Sequence, residues 1–516
     1  MLEGTHIQQF LSRLFMKTSS TFRDIHVNSE IGKLRKIIVH HPDKGVANFP
    51  PNKMHEILYD DIVDQKQMKT EYSHYLETLY WFLDPDLIKA NIKTLNSENR
   101  LDLFTPGTPH YMASDNVMDV EAVLGKILEN EDAKIRIVSA VGGIERLSLN
   151  TQNKLIETQP RELASTLITG ITKRINKDGT TSNIQIFPPI PNQIFTRDTS
   201  VTIEDHIFIT KPKERARFRE RLIASYLAKY QLIPYDNSSS RIIDLEAFGP
   251  EGYPEPDEKL TIEGGDMMMI APGHLIVGLS QRTNIAAIEA LINHTFSTKL
   301  LSKVTIVKIP NKRDFMHIDT VFTQIKKDMW VVFGPFSKMG YEREKNSRIT
   351  NNIMHDDVRT PVSIFQYKRK DSANSKKNYE VDVKEFPFLE DLLSDVTTHD
   401  LLSKSDASFV YSAGGEPLFE EREQWTDSCN FLALRDGVII GYDRNTKTTE
   451  ALKNVGFEVI RAADLNIKFR EACSQKDGIE RVITGDTLVL LDSYELSRAR
   501  GGAHCMSQPI LRDELI

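Results

Sequence analysis

Near the C-terminus the run Arg498-Ala-Arg-Gly-Gly-Ala-His-Cys505-Met places a thiol beside two glycines, two cations and an imidazole. Paired glycines let a ligand approach the backbone closely. Positive charge from Arg498, Arg500 and His504 would lower the thiol from its reference pKa of about 8.5 toward the nucleophilic thiolate. Cys505 is therefore a candidate nucleophile, although the motif taken alone reads more readily as an inert buried cysteine. His317 and Asp319, in Met316-His-Ile-Asp-Thr320, stand two apart and on a strand would share one face. Glu263-Gly-Gly-Asp266 is either an acidic site or a glycine turn, and Arg197-Asp198 either a ligand grip or a local ion pair. Together, one cysteine, one histidine and three carboxylates suit a cationic substrate. A guanidinium stays protonated at any working pH and presents paired planar donors, which carboxylates accept in bidentate fashion. A thiolate could attack its carbon while a histidine protonates the departing nitrogen and later activates water. That chemistry requires neither metal nor organic cofactor.

The elements that must position these groups repeat along the chain. A short apolar strand, a tight polar turn, a second strand and a charged helical stretch recur. One copy runs from Ser200 through a turn at Glu204-Asp205 to Thr210, with a helix over 214–230. A second runs from Met267 through Pro272-Gly273 to Leu279, with a helix from Asn284 to His294. A third runs from Asn430 through Asp436-Gly437 to Tyr442, with a helix from Thr446 to Asn454. A fourth hairpin spans His317 to Phe333, and Leu34 to His40 starts a first copy. Counted back from the turns, Asp198, Asp266 and Asn430 each lie seven residues before Asp205, Gly273 and Gly437. If such strand mouths are gathered around an axis, these polar residues converge on one cleft. For any single position the alternative is that Asp or Asn merely punctuates a strand start.

Two stretches break this grammar. Residues 60–175 read as a mainly helical insertion, with a long helix from Tyr59 to Phe82. Residues 337–410 read as a polar surface excursion, in which Lys368-Arg-Lys370 and Lys376-Lys377 form a solvated face. The first 28 residues form an N-terminal extension, where Ile7, Phe10, Leu11, Leu14 and Phe15 fit a short amphipathic helix or a weak targeting segment. Residues 29–516 then form one catalytic domain.

Composition narrows the classes. The 516 residues carry 65 Lys plus Arg against 73 Asp plus Glu, a net charge of −8, with no broad basic footprint for a nucleic-acid partner. No apolar run reaches the ~20 residues that a membrane-spanning helix needs. Cys429, Cys473 and Cys505 form no CxxC pair, which argues against a disulfide framework or a structural zinc site and fits a reducing, cytoplasmic setting.

In these residues the chain resembles the bacterial-type arginine deiminases of the guanidino-group modifying, or pentein, superfamily. The resemblance runs from Ser29 to the C-terminus. It rests on Ser29-Glu-Ile-Gly-Lys-Leu-Arg-Lys, Tyr59-Asp-Asp-Ile62, Pro191-Asn-Gln-Ile-Phe-Thr-Arg-Asp198, Ile262-Glu-Gly-Gly-Asp266, Ser280-Gln-Arg-Thr283, Met316-His-Ile-Asp-Thr-Val-Phe322, Gln424-Trp-Thr-Asp427, Tyr442-Asp-Arg-Asn445 and Arg500-Gly-Gly-Ala-His-Cys-Met506, all in the family's order.

The resemblance implies an α/β fold, a fivefold pseudo-symmetric α/β propeller with a helical insertion, and hydrolysis of free L-arginine to L-citrulline and ammonia. Carried over by position, Cys505 is the nucleophile, His317 the general acid and base, and Asp198 and Asp319 the guanidinium grip, while Glu263 orients His317. Asn192, Arg217 and Arg282 would hold the substrate carboxylate and Arg500 would gate the thiol. Arg215 or Arg219 replaces Arg217 if the alignment slips. A homo-oligomer, dimer or tetramer, is also implied. The chain departs from the family in its extra length, chiefly at 60–175, 238–259 and 337–410, and in Trp425-Thr-Asp-Ser-Cys429, where many members have Trp-Asn-Asp-Gly. The alternatives within the superfamily are amidino transfer and action on agmatine or peptidyl arginine. The alternative outside enzymes is a pentein scaffold that only binds.

Overall fold

Glycine supplies the left-handed backbone conformation at two of the hairpin turns, with φ of 69° at Gly273 and 74° at Gly437. Met267–Ala271 and His274–Leu279 pair across the first, Leu432–Arg435 and Val438–Tyr442 across the second. Ser200–Ile203 pairs with His206–Ile209, and Phe322–Lys326 with Met329–Val332, in the same antiparallel manner. The computed structural model describes residues 25–177, 180–233, 241–245, 260–351, 362–372, 377–475 and 478–515.

In each case the second strand of the hairpin is joined on its far side by a parallel strand. Ile242–Asp244 lies beside His206–Ile209, and Lys303–Lys308 beside His274–Leu279. Ser408–Tyr411 lies beside Met329–Val332, and Thr487–Leu491 beside Val438–Tyr442. Parallel neighbours require a crossover, and helices such as Phe218–Leu227 and Ile285–Ser297 fill it, burying one face on the sheet. A fifth sheet has the same form but is assembled from distant parts of the chain. Leu34–Val39 is its centre, Gln508–Arg512 its antiparallel partner and Val117–Asp119 its parallel one. Only the central strand was legible in the sequence as a first copy, because its hairpin partner lies at the opposite end of the chain.

The architecture is thus mixed α/β, with five sheets of three or more strands among the described residues and a separate hairpin of Ile171–Lys177 and Thr180–Phe187. No helix of the described residues is long and apolar enough to cross a membrane.

Several expectations shift. The long helix begins at Gln65 rather than Tyr59 and runs to Leu83, because the Asp64 carboxylate accepts the Gln67 amide at 2.8 Å and caps it. The helix expected over 214–230 is a short turn, Arg215–Arg217, followed by Phe218–Leu227 and a wider turn through Leu232. Within 60–175 the helices are interrupted by Val117–Asp119, which completes the fifth sheet.

The 337–410 stretch is not confined to the surface. Ser363–Asp371 and Tyr379–Phe386 extend the sheet of Lys303–Lys308, and Leu389, Leu392, Leu393 and Val396 are buried at helical spacing in the core. The surrounding charges concealed that apolar stripe. In the Lys368-Arg-Lys370 run, Arg369 donates to the Phe296 carbonyl at 2.7 Å, while Lys376 lies outside the described residues. The N-terminal helix read from 7–17 also lies outside them. Ile25–Asn28, assigned by sequence to the extension, is buried, and Val27 bridges to Glu204 through paired main-chain bonds.

Candidate active site

Tight turns precede the first strands of three of the repeated sheets: Thr196–Asp198, Gly264–Asp266 and Ile318–Thr320. Their side chains meet. His317 therefore caps a turn and Asp319 lies within it, rather than the two sharing the face of a strand, because the strand begins only at Phe322. Asp266 fixes this turn. One carboxylate oxygen accepts the Ile318 amide at 3.0 Å and the other accepts the Ser280 and Thr283 hydroxyls, each at 2.6 Å. Burial pushes its carboxyl up to about 7. Gly265 is required by close approach, since a Cβ there would lie 2.5 Å from the His317 ring.

His317 Nε2 lies 3.0 Å from Glu263 Oε2, and its Nδ1 lies 3.8 Å from Asp198 Oδ1. Burial works against the imidazolium, but the Asp198 charge and the Glu263 hydrogen bond outweigh it and raise His317 to about 10. Glu263 shows the reciprocal effect. Burial alone would raise it, yet the His317 hydrogen bond and the charges of Arg282 and Arg217 bring it down to about 2.

Cys505 enters from the loop before Gln508–Arg512 and is 6% exposed. Its Sγ lies 3.5 Å from Asp319 Oδ2 and receives the Asn430 side-chain N–H at 3.3 Å. Asn430 also accepts the Cys505 amide at 3.1 Å and donates to the Asp319 carbonyl at 3.2 Å, tying the two residues together.

The expected lowering of the thiol pKa is reversed. Burial, followed by the charges of Asp319, Asp198 and Asp427, holds the thiol well above its ordinary range. The cations credited with lowering it are engaged elsewhere. His504 lies 3.0 Å from Asp319 and 3.1 Å from Glu30, and Arg197 reaches its Nε2 at 2.8 Å. Arg498 pairs with Asp61 at 2.7 Å. Arg500 stacks on Trp425, with its guanidinium carbon 3.4 Å from the ring centre, and donates to the Trp425 carbonyl at 2.9 Å. Asp319 itself is lowered: burial opposes ionisation, and the hydrogen bond from His504 overcomes it.

Of the residues expected to hold a carboxylate, Arg282 is 5% exposed and its Nη1 stands 3.7 Å from Glu263 Oε1. Its Nε and Nη1 have no hydrogen-bond partner. Arg217 points into the same centre, donating to Asp198 at 2.5 Å and to Glu220 at 2.7 Å. Arg215 instead donates to the Ile144 carbonyl, and Arg219 lies 4.8 Å over the Phe187 ring, so neither sits on Asp198. The Asn192 side chain donates to the Ile57 carbonyl at 2.6 Å, while the Asn192 main-chain carbonyl accepts from Arg217 at 3.3 Å. Arg500 lines a cleft with Asp60, Asp61, Trp425 and Arg498.

The structure thus brings Cys505 and Asp319 together, and His317, Glu263, Asp198, Arg217 and Arg282 together, with Asn192 behind Arg217 and Arg500 held by Trp425. Asn430, Glu30 and Arg197 were not among the expected site residues. Asn430 had a signal in its register with Asp198 and Asp266, and Arg197 in its place beside Asp198, although it pairs with Glu30 and His504 instead; Glu30 is recognised only by what it touches.

Ligand atoms of Asp198, Glu263 and His317 all lie within 4.8 Å of one another, close enough for a single ion. Arg217 already contacts two of these carboxylates, at 2.5 Å and 3.8 Å, so the same groups also suit a planar organic cation.

Fold and site together define a mixed α/β protein with a buried centre of thiol, imidazolium and carboxylates. The profile of the family described as Arginine deiminase matches residues 128–512, and the chain belongs to the arginine deiminase family. Among curated relatives, the arginine deiminase of Staphylococcus haemolyticus is 27% identical over 501 residues, covering 95% of this chain and 99% of that protein. That of Limosilactobacillus reuteri is 28% identical over 500 residues, covering 95% and 98%. Among solved structures, SxtG, an amidinotransferase from Microseira wollei, matches with a TM-score of 0.43 and 11% identity, over 95% of this chain and 97% of that one.

Proposed function

We propose that the chain hydrolyses free L-arginine to L-citrulline and ammonia through a covalent adduct on Cys505. The observation that carries this reading is the placement of the Cys505 thiol 3.5 Å from the Asp319 carboxylate, in a centre that also holds the His317 imidazolium between Glu263 and Asp198. The substrate guanidinium is gripped by Asp198 and Asp319. One charge pair at ~4 Å contributes roughly 4 kcal/mol at an effective dielectric of 20, before desolvation. Arg217, which donates to Asp198, turns toward the substrate carboxylate on binding, where the unpartnered N–H groups of Arg282 also bind.

The carboxylates that raise the thiol pKa are neutralised when a guanidinium arrives, so the thiol releases its proton to solvent and the thiolate forms with substrate in place. Sulfur then bonds to the guanidinium carbon. His317 gives its proton to the departing nitrogen as the C–N bond breaks, and ammonia leaves. Neutral His317 next takes a proton from water, the oxygen bonds to the same carbon, and the C–S bond breaks to give citrulline as the hydroxyl proton passes to the departing sulfur and restores the thiol. Glu263 holds the imidazole in place through both halves. Five sheets, each with an antiparallel pair joined by a parallel strand, support a fivefold pseudo-symmetric propeller as the scaffold, within a single catalytic domain. Three free cysteines accord with a reducing, cytoplasmic setting.

The test is a time course of ammonia and ureido product with L-arginine, agmatine and a blocked arginine peptide. Turnover of L-arginine alone is expected. Equal turnover of agmatine would remove the carboxylate clamp, and silence on all three from folded, reduced protein would overturn the hydrolytic reading.

A further inference from the structure

We propose that His40, His41 and Asp119 form a binding site for one divalent transition-metal ion of the zinc class, sharing no residue with the centre around Cys505. Leu34–Val39 and Val117–Asp119 run parallel, with Val39 paired to Asp119. The two histidines that follow one strand and the aspartate that ends the other therefore emerge at the same edge. His40 is 2% exposed, His41 5% and Asp119 5%, and one ligand atom from each lies within 4.8 Å of the others.

His41 Nδ1 stands 3.0 Å from Asp119 Oδ2, and His40 Nδ1 stands 3.8 Å from Asp119 Oδ1. Ligands placed about 2.0–2.1 Å from a tetrahedral zinc are roughly 3.3–3.4 Å apart, between those two distances. His40 Nδ1 is buried without a hydrogen-bond partner, a vacant lone pair or N–H directed at the same carboxylate.

The outer contacts also fit. His40 Nε2 lies 3.1 Å from Asp43 Oδ2 and His41 Nε2 3.8 Å from Glu121 Oε2, so each imidazole has a carboxylate behind it, as metal-bound histidines generally do. The Asp119 carboxylate is oriented by the main-chain amides of His41, at 2.9 Å, and Glu121, at 2.8 Å. Asp43 and Glu121 also face Lys69, and Asp119 adds a third carboxylate to the cluster. Two imidazoles and a carboxylate select zinc, cobalt or nickel over the hard cations magnesium and calcium. A cleft lined by Asp119, Glu121, Tyr111 and Met118 reaches the carboxylate side of the trio. Because Asp119 also caps the helix Val120–Ile127, the ion would brace that helix against the first strand.

The full chain, stripped with a chelator, is titrated with zinc by calorimetry and by thermal unfolding. One equivalent should bind and raise Tm, both in the unmodified chain and in His317→Ala, where the other histidine and carboxylate trio is broken. His41→Ala should weaken binding by at least about tenfold while arginine turnover in chelator is unchanged. Should His41→Ala fail to fold, His41→Gln, which retains a polar group toward Asp119, takes its place. Absence of zinc binding, binding indifferent to the His41 substitution, binding abolished only by His317→Ala, or equal binding of magnesium would each overturn the assignment.

Discussion

Two buried trios in this protein have nearly the same chemical make-up. One is His317, Glu263 and Asp198; the other is His40, His41 and Asp119. The first is drawn from the mouths of three different sheets, and Arg217 and Arg282 stand against its carboxylates. The second comes from two neighbouring strands, and its additional neighbours include the carboxylates of Asp43 and Glu121. Composition therefore does not distinguish a centre for an organic cation from one for a metal ion. The sign of the next charges and the presence of a thiol do.

The comparison can be broken at its strongest point first. Cys505→Ser should reduce citrulline formation by on the order of 10⁴-fold or more while leaving zinc uptake at His40 and His41 intact, and retained turnover would remove Cys505 as nucleophile. His317→Ala should cost about 10²–10⁴-fold in kcat, and a smaller loss would place the proton transfer on another group. Arg282→Ala should raise KM for arginine by about 10–100-fold, the equivalent of one charge-assisted hydrogen bond, with a lesser effect on kcat. An unchanged KM would take Arg282 out of the carboxylate clamp.

The pH dependence sharpens the contrast further. His317 is raised to about 10, so kcat/KM should fall as pH rises through that value and the imidazolium is lost. Because its folded pKa lies above the unfolded value of about 6.5, its contribution to stability is complete below 6.5 and disappears as pH rises through about 10. Glu263→Gln should move this alkaline limb to lower pH, since Glu263 is one of the groups holding the proton. A limb that stays in place would assign it to a different residue. The smallest effect belongs to the second trio: metal-free His41→Ala should lose about 1–3 kcal/mol of stability in denaturant unfolding and leave kcat unaltered. A large loss of kcat would join the two regions into one functional unit.

Much of this organisation was legible before any coordinates. Four hairpins fell where alternating apolar strands and tight turns placed them, because both signals are local. The register of Asp198, Asp266 and Asn430 brought out equivalent strand mouths for the same reason. Asp266, however, holds the turn at Ile318 rather than facing a ligand, and Asn430, read from the sequence only as a strand-mouth residue, contacts the Cys505 sulfur at 3.3 Å. The Leu389 to Val396 stripe was obscured by flanking charge, and beyond its central strand the fifth sheet had no local signature, because its partners Val117–Asp119 and Gln508–Arg512 lie far along the chain.

The sequence by itself determined which side chains are available, the local grammar of strand, turn and helix, and a resemblance whose family the comparisons show. Those properties depend on neighbours within a few residues or on motif order. Only the tertiary structure decided that Arg217 rather than Arg215 or Arg219 meets Asp198, and that His504 is engaged by Asp319, Glu30 and Arg197. It also decided that the Cys505 thiol is raised instead of lowered. Electrostatic effects depend on distance in space and on burial, and residues as far apart in the chain as Glu30 and His504 come within 3.1 Å only when the sheets close on one another.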